Sequence, residues 1–349
     1  MTALSVIASG MVTGLGFNAP ASLAALRAGI SAVRKTGWTD HRTGAALLAA
    51  KVDLPHWWEG VGKYADLIAP AIEECLQALV SVAPESVPIL LGVAAPERPG
   101  RVPGLDDALL DEMHARLELR RHHETRSFAM DQTGCVHGLI VARALIERGV
   151  AQRVIVAGVD SFLHRATLRA YAERRRLMTP GNSNGFFAGE AGCAVAVGAT
   201  GTHDGSELVI RGIGMANESA TIDGTEPLRA RGLTIAVRQA LENAGVGLTD
   251  VAYRLTDLSG EHYKFKEAVF TEGRLNGEPR DKPLDLWHPI EYLGEIGAAI
   301  LPCLLAQALH AAREGYAPGQ LALCHVGSDA GARAALVVGM ASGSTGKCG

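Results

Sequence analysis

The sequence predicts an α/β fold with helix-covered sheets, built from two related halves. The first observation is a set of short, continuous apolar runs, such as residues 88–93 and 153–158, which suit strands covered on both faces. The second is that helical stretches separate these runs, as at residues 64–82. The third is the polar segment 199–206, whose glycines and Asp-Gly turn indicate a seam near the middle of the chain.

The order of these elements repeats. In the first half, further strands are expected at residues 5–8 and 194–198, with an apolar helix at 136–147. The second half is expected to contain strands at 208–212, 251–258, 321–324 and 335–339 and helices at 228–244 and 295–313. We therefore divide the chain into halves at 1–200 and 207–349. Periodicity alone leaves two arrangements open, a duplicated fold with helices stacked between two sheets and a doubly wound sheet.

Composition excludes several classes of function. Lysine and arginine total 33 against 37 aspartates and glutamates, so there is no basic excess for nucleic acid, and the run at residues 173–176 is expected to be a solvated helix face. The six cysteines form no C-x-x-C pair, so neither a zinc site nor a disulfide framework is indicated. No apolar run reaches the roughly 18 residues of a membrane helix, and no secretion signal is recognised. A cytoplasmic protein without a bound cofactor is expected.

Local motifs carry a family resemblance. The stretch SGMVTGLG at residues 9–16, followed by LRAGIS at 26–31, resembles the opening of the β-ketoacyl synthases. TGCVHG at residues 133–138 resembles their "T-A-C-x-x-G" nucleophile elbow, and GFFAGEAG at 185–192 resembles "G-F-x-x-G-E-G-A". The motifs keep their order and approximate spacing over most of the first half. The resemblance implies a thiolase-like αβαβα layered fold made of two duplicated halves, and a dimer.

The elbow makes Cys135 the candidate nucleophile. A cysteine on a tight turn at a helix start lies at the positive end of the helix dipole, which favours the thiolate, and neighbouring backbone N–H groups can form an oxyanion hole. By resemblance, Cys135 would accept an acyl group from a CoA or acyl-carrier-protein thioester. The alternative is a well-packed core thiol. The positions that the resemblance assigns to substrate binding are Thr133, Gly134, Phe187, Ser328 and Asp329.

The two catalytic histidines of condensing enzymes are missing. In the stretch that corresponds to "H-G-T-x-T", Ser259 stands at the place of the first histidine. His262 follows three positions later and is either a replacement base or a surface residue at a helix start. Aligning the glycines of "G-H-x-x-x-A-A-G" puts Glu291 at the place of the second histidine. Because a carboxylate donates no hydrogen bond unless it is protonated, decarboxylative condensation is not expected.

Two further features depart from the family. Residues 327–333 replace the aromatic gating loop "G-F-G-G-x-N" by polar groups. Just upstream, Cys324 resembles the second cysteine of degradative thiolases, although a core thiol is the simpler interpretation.

Three functional hypotheses therefore remain. The first is an acyltransferase acting through Cys135. The second is a non-catalytic partner of another thiolase-fold chain, similar in role to chain-length factors. The third is an adaptor, similar to the thiolase-like proteins encoded beside type VI secretion effectors. The expected partners are a second thiolase-fold chain, identical or different, and either an acyl carrier protein or a secretion effector.

Overall fold

The computed structural model describes residues 3–40, 42–56, 59–203, 205–276 and 283–341. The strands of this part of the chain are β1 (Leu4–Thr13), β2 (Val33–Thr39), β3 (Ala46–Ala50), β4 (Ile89–Val93), β5 (Arg126–Ala129), β6 (Arg153–Ser161), β7 (Ala188–Ala199), β8 (Leu208–Asn217), β9 (Tyr253–Thr256), β10 (Asp285–Trp287), β11 (Leu321–Gly327) and β12 (Ala332–Met340). The helices are α1 (Ala19–Arg27), α2 (Val61–Gln77), α3 (Asp107–Leu117), α4 (Gly134–Glu147), α5 (Arg165–Glu173), α6 (Arg231–Ala244), α7 (His262–Leu275), α8 (Ile290–Leu293) and α9 (Ile300–Arg313).

The main strands form two sets of the same design. The first set has the order β5-β4-β6-β7-β1, and the second has the order β10-β9-β11-β12-β8. In each set the first three strands pair in parallel with their neighbours. The fourth strand pairs antiparallel with the third, and the fifth pairs antiparallel with the fourth. The sets meet where β1 pairs with β8 over three residues of each strand. This repetition shows a duplicated fold and excludes the doubly wound sheet.

Helices fill three layers around the two sets of strands. α2 and α3 cover the outer face of the first set, and α6 and α7 lie outside the second. α4 and α9 lie between the two sets, in the largest apolar cluster of the described residues. The layers are therefore α, β, α, β, α, as the resemblance implied.

Glycines allow the outer helices to lie directly on the strands. A Cβ at Gly10 would lie 1.9 Å from the carbonyl oxygen of Ala71 in α2. At the matching place of the second half, a Cβ at Gly212 would lie 2.0 Å from the carbonyl oxygen of Ala240 in α6. Any side chain at these positions would push the helix off the sheet, so these glycines set the spacing of the layers.

The predicted elements are present, although several boundaries differ by five or six residues: β7, for example, begins at Ala188 rather than at residue 194. The difference that matters for the site precedes α9. The helix was expected from residue 295 but begins at Ile300, after a short 3₁₀ turn at Gly297–Ala299. Gly297 has a φ of +48°, which the interior of a right-handed helix does not allow. Residues 294–299 therefore form a separate loop against the first half. No helix in the described part of the chain has the length and apolar character needed to cross a bilayer.

Candidate active site around Cys135

The elbow places Cys135 between the two halves of the molecule. Cys135 is the second residue of α4, and its side chain lies against β4 and β6 and the loop that precedes α9. A Cβ at Gly92 in β4 would lie 2.6 Å from Cys135 Sγ, so only glycine leaves room for the thiol there. Cys135 is 1% exposed. Cys135 therefore lies at the start of a helix, as the elbow motif predicted, and it is also buried, as the core-thiol alternative predicted.

The surroundings of this thiol favour its protonated form. Sγ lies 3.3 Å from the carbonyl oxygen of Ala157 and 3.4 Å from that of Ala298, and both can accept its hydrogen. Burial raises the pKa of Cys135 to about 12, although a hydrogen bond with the backbone of Gly92 acts in the opposite direction. Carbonyl oxygens repel a thiolate, and desolvation outweighs the favourable helix dipole. Cys135 is therefore a thiol at neutral pH in this conformation.

A buried lysine lies between two carboxylates close to the elbow. Lys264 Nζ is 3.0 Å from Asp257 Oδ2 and 3.6 Å from Glu295 Oε2. Burial alone would lower the pKa of Lys264, but the two carboxylates outweigh it and raise the pKa. Glu295 Oε1 accepts hydrogen bonds from the Gly297 N–H at 2.9 Å and from Nε2 of Gln132, three residues before Cys135, at 3.4 Å. We call Lys264, Asp257 and Glu295 the lysine triad.

A second buried ion pair anchors the loop that faces the thiol. Arg98 Nε lies 2.9 Å from Asp131 Oδ1, and its other nitrogens pair with Asp160. Asp160 Oδ2 accepts a hydrogen bond from the Ala298 N–H at 2.9 Å. A Cβ on Gly297 would lie 2.0 Å from the same oxygen. The carboxylate of Asp160 therefore fixes the backbone whose carbonyl faces Cys135.

The polar loop 327–333 is held by a third ion pair, formed by Arg176. The run 173–176 was expected to be a solvated helix face, but α5 ends at Glu173 and Arg176 is buried, because two carboxylates pair with it. Arg176 Nε lies 2.7 Å from Glu261 Oε1, and Arg176 Nη1 lies 2.6 Å from Asp329 Oδ2. Burial would raise the pKa of Asp329, but Arg176 holds it below its usual value. The Oγ of Ser328 accepts a hydrogen bond from the Ala332 N–H at 3.2 Å, which closes the turn. Both predicted substrate-binding residues of this loop thus have partners inside the protein.

The other predicted site residues are spread more widely. Ser259 is buried, with Oγ 3.4 Å from Glu261 Oε2. His262 is exposed at the start of α7, and its backbone N–H donates to Asn184 Oδ1 at 2.8 Å. The side chain of Glu291 is 46% exposed on α8 and lies 3.4 Å from His288 Nε2.

The first-half positions lie closer to the thiol. Thr133 and Gly134 immediately precede Cys135, and both are buried. The carbonyl oxygen of Phe187 accepts a hydrogen bond from the Glu295 N–H at 2.7 Å, so the 185–192 motif supports the backbone of one member of the lysine triad.

The sequence contained one signal for Glu295 that the predicted alignment passed over. If "G-H-x-x-x-A-A-G" is aligned with one residue deleted, Gly294 is followed by Glu295 at the histidine position and then by Gly297, Ala298 and Ala299. That alignment points to the buried carboxylate rather than to the exposed Glu291. Nothing in the local sequence marks Lys264 and Asp257 as its partners.

A small cavity lies beside the lysine triad. It is about 20 Å³ in volume and is lined by residues including Asp257, Lys264, His325 and Asp329. A space of this size holds about one water molecule and no acyl chain. Burial lowers the pKa of His325 to about 4, although Asp257 acts in the opposite direction, so its imidazole is neutral at pH 7.

Cys324 lies next to His325 on β11 and has no solvent exposure. Burial raises the pKa of its thiol to about 12. Its burial fits the core-thiol interpretation.

The described residues include no group of three or more His, Cys, Asp or Glu side chains able to hold a metal.

The comparisons with known proteins agree with this architecture. A chain in the complex of a ketosynthase with its chain length factor from Xenorhabdus doucetiae is 15% identical, with a TM-score of 0.73 over 97% of this chain and 98% of its own. A β-ketoacyl synthase from Burkholderia phymatum STM815 is 15% identical, with a TM-score of 0.75 over 98% of this chain and 100% of its own. A chain from AntDE:AntF, a type II polyketide acyl-carrier protein in complex with its ketosynthase, is 14% identical, with a TM-score of 0.76 over 97% and 99% of the two chains.

At the level of sequence, no protein-family model matches the chain and no curated protein is similar to it. The structural similarity extends over almost the full length of the chain. Because the sequence identity is low, this similarity shows the fold alone. The chain therefore has the thiolase fold in the form shared by ketosynthases and chain length factors.

Proposed function

We propose that the chain is a non-condensing thiolase-fold subunit that acts by pairing with a ketosynthase-type chain. The observation that carries this proposal is the lysine triad, in which the ammonium group of Lys264 is held between Asp257 and Glu295 beside the elbow. A condensing site needs imidazole or amide N–H groups there, free to stabilise a developing enolate.

The chemistry of the surrounding groups argues against condensation. The Lys264 ammonium already donates to Asp257 and forms an ion pair with Glu295, and both carboxylates would repel the negative charge of an enolate. The buried, protonated thiol of Cys135 is a poor acyl acceptor. The cavity beside the triad, about 20 Å³ in volume, is itself too small for an acyl chain. These features favour a structural role for the former site.

An open sheet edge supports the pairing half of the proposal. β5 ends its set of strands, and no described strand pairs with its outer side. Met130, directly after β5, is 41% exposed, and Ile140 on the adjacent α4 is 43% exposed. An unpaired strand edge flanked by apolar side chains is a surface that a second chain can extend and cover. The solved complex of a ketosynthase with its chain length factor provides a precedent for a pair of such subunits.

Co-expression with a ketosynthase-type chain from the same cell tests the proposal. We expect a one-to-one complex by size-exclusion chromatography with light scattering. The double variant Met130→Asp/Ile140→Asp should abolish it, whereas Val80→Asp, at a side chain that is 95% exposed elsewhere, should not. The partner's condensing activity in the complex should survive Cys135→Ala. The proposal would be contradicted if the double variant still formed the complex, or if the complex lost condensing activity with Cys135→Ala.

Acyl transfer through Cys135 is a second candidate, favoured by the position of Cys135 at the start of α4 and by its hydrogen bond with Gly92. In this reaction the thiolate attacks the carbonyl carbon of an acyl-CoA or acyl-carrier-protein thioester. The acyl–sulfur bond of the donor breaks, and the released thiolate takes up a proton. Intact-mass measurement after incubation with acetyl-CoA would detect the adduct, and Cys135→Ser is the control. An adaptor role for a secretion effector stays a prediction.

A further inference from the structure

The polarity of α7 is inverted relative to an ordinary surface helix. Lys264 and Glu267 are buried in ion pairs, whereas Phe265, Val269 and Phe270 are 36%, 62% and 37% exposed. A surface helix normally turns its apolar side chains toward the core and its charged side chains toward solvent. The exposed apolar side chains of α7 contribute little to the core of this chain, so contact with another molecule is the role that they fit.

The exposed residues of α7 form one continuous face. They recur every three or four positions, which places them on the same side of the helix. We call them the α7 face: His262, Phe265, Lys266, Val269, Phe270, Gly273 and Arg274. Because α7 is 14 residues long, the face extends over about 21 Å, which is almost four helical turns.

The aromatic rings of the α7 face form a shallow platform. The ring of Phe265 packs edge-on against that of His288, with centroids 5.9 Å apart, and Lys266 Nζ lies 5.5 Å from the ring centroid of Phe270. Both phenylalanines are therefore more covered than exposed, and only Val269 projects. Binding to a bilayer needs apolar side chains that reach below the lipid headgroups, so this shape favours a protein surface over a membrane.

A glycine allows close contact at one end of the platform. Gly273 lies one turn after Val269, and an added Cβ would meet nothing within 4 Å. Its φ is not positive, so neither backbone conformation nor packing within the described chain requires glycine there. Glycine weakens an exposed helix relative to alanine, but it lets the backbone of a second helix approach closely. A helix that packs across α7 at this position accounts for the glycine.

The charges of the α7 face favour an acidic partner. Lys266 and Arg274 are exposed and form no ion pair with a described residue, and no exposed residue of α7 is a carboxylate. The two carboxylates of the helix, Glu267 and Glu272, pair with arginines of the chain. Lys266 and Arg274 are eight residues apart and therefore about 12 Å apart along the axis. Two carboxylates about two turns apart on a partner helix would match this separation.

The neighbouring helix α6 extends the positive charge. α6 contacts α7 where Thr234 Oγ1 lies 3.4 Å from Thr271 Oγ1. Arg231 and Arg238, one turn before and one turn after Thr234, are both exposed, and Glu242 is the exposed carboxylate of α6. The exposed side chains of the two helices thus carry more positive than negative charge, which attracts an acidic surface.

We propose that the α7 face binds an acidic amphipathic helix of a partner protein. The apolar stripe of that helix packs on Phe265, Val269 and Phe270 and crosses α7 at Gly273, and its carboxylates pair with the exposed cations of the face. The α7 face lies outside the second set of strands, whereas β5 ends the first set. The surface is therefore separate from the edge at which a ketosynthase-type chain is proposed to pair.

Fluorescence anisotropy with the full chain and labelled peptides tests the proposal. The probe is a designed helix of three E-L-L-E-A-L-A heptads. One comparison peptide has lysine in place of every glutamate, and another has the composition of the probe in a scrambled order without the apolar stripe. We expect the acidic helix to bind at least about tenfold more tightly than either. Failure of the acidic helix to bind at about 100 μM protein, or equal binding of the acidic and basic helices, overturns the proposal.

Variants of the α7 face assign the contacts. Val269→Asp should weaken the acidic helix at least about tenfold, because it places a charge at the centre of the apolar stripe. Gly273→Gln should weaken it by a similar factor without lowering the melting temperature, since glutamine favours the helix but blocks close approach. The double variant Lys266→Glu/Arg274→Glu should transfer the preference to the basic helix. Unchanged binding by folded Val269→Asp would overturn the proposal.

Controls separate this surface from other surfaces and other occupants. Lys35→Glu, at an exposed lysine of β2, and the β5-edge variant Met130→Asp/Ile140→Asp should leave peptide binding unchanged. Loss of peptide binding in the β5-edge variant would contradict a separate site. Sedimentation with phosphatidylcholine–phosphatidylserine vesicles and light scattering of the chain alone examine a membrane and a second copy. Vesicle binding or self-association that Val269→Asp abolishes, without binding of the acidic helix, would also overturn the proposal.

Discussion

Lys264 Nζ lies 3.0 Å from Asp257 Oδ2, and both side chains are buried. Asp257 directly follows β9, and Lys264 lies in the first turn of α7, so the pair ties a helix to the strand before it. The Gly327 N–H at the end of β11 donates to the same carboxylate oxygen at 3.0 Å. One ion pair thus joins three segments of the second half next to the elbow.

Removing Lys264 should destabilise the protein strongly. In Lys264→Met, Asp257 and Glu295 remain buried without their cation, and a buried charge that loses its partner costs about 3 kcal/mol or more. Urea unfolding followed by circular dichroism measures the change. Lys266→Met, at an exposed residue of the same helix, is the matched control and should shift the free energy of unfolding by less than about 1 kcal/mol. Equal effects of the two variants would show that the triad is not a structural element.

Adding one methyl group at Gly297 should disturb the loop that faces Cys135. Gly297 has a φ of +48°, and a Cβ there would lie 2.0 Å from Asp160 Oδ2. Gly315→Ala serves as the control, because Gly315 also has a positive φ but no atom within 4 Å of the added Cβ. The control should cost about 1 kcal/mol from backbone strain, and Gly297→Ala about 2 kcal/mol more from the clash. Thermal unfolding compares them, and equal losses would contradict the packing described here.

The thiol of Cys135 should react slowly in the folded protein. With the pKa raised to about 12 by burial, roughly 10⁻⁴ of the thiol is ionised at pH 8. Labelling by iodoacetamide, followed by peptide mass spectrometry, should be at least about a thousandfold slower than in urea. The rate should rise with pH as long as the fold persists. Rapid labelling of the native protein at pH 8 would favour the acyl-transfer candidate over the non-catalytic one.

His325 should make stability depend on pH in the acidic range. Burial lowers its pKa from 6.5 to about 4, so between these values the unfolded chain binds a proton that the folded chain does not. Stability is therefore lost as pH falls from about 6.5 to 4, and a shift of this size corresponds to about 3 kcal/mol. Urea unfolding of His325→Gln at a series of pH values should show a smaller loss in this window. Identical pH profiles of the variant and the unchanged protein would contradict the prediction.

The fold and the elbow could be predicted because their signals are local. Continuous apolar runs become strands covered on both faces, and the TGCVHG stretch places Cys135 at the start of α4. These features depend on residues that are neighbours in the chain. The positive φ of Gly297 is also local, but its effect was missed, and the predicted helix therefore started five residues too early.

The chemical state of the site was decided by tertiary structure. Asp257, Lys264 and Glu295 are separated by 7 and 31 positions, and only the packing of α7 and the loop before α9 brings them together. A cysteine at a helix start has a low pKa where solvent reaches it and a high one where it is buried, and its burial depends on both halves of the chain. The sequence by itself therefore determined the thiolase fold and the position of Cys135. Long-range contacts alone determined that its thiol is protonated and its surroundings are filled with ion pairs, because desolvation and charge pairing depend on distance in space rather than along the chain.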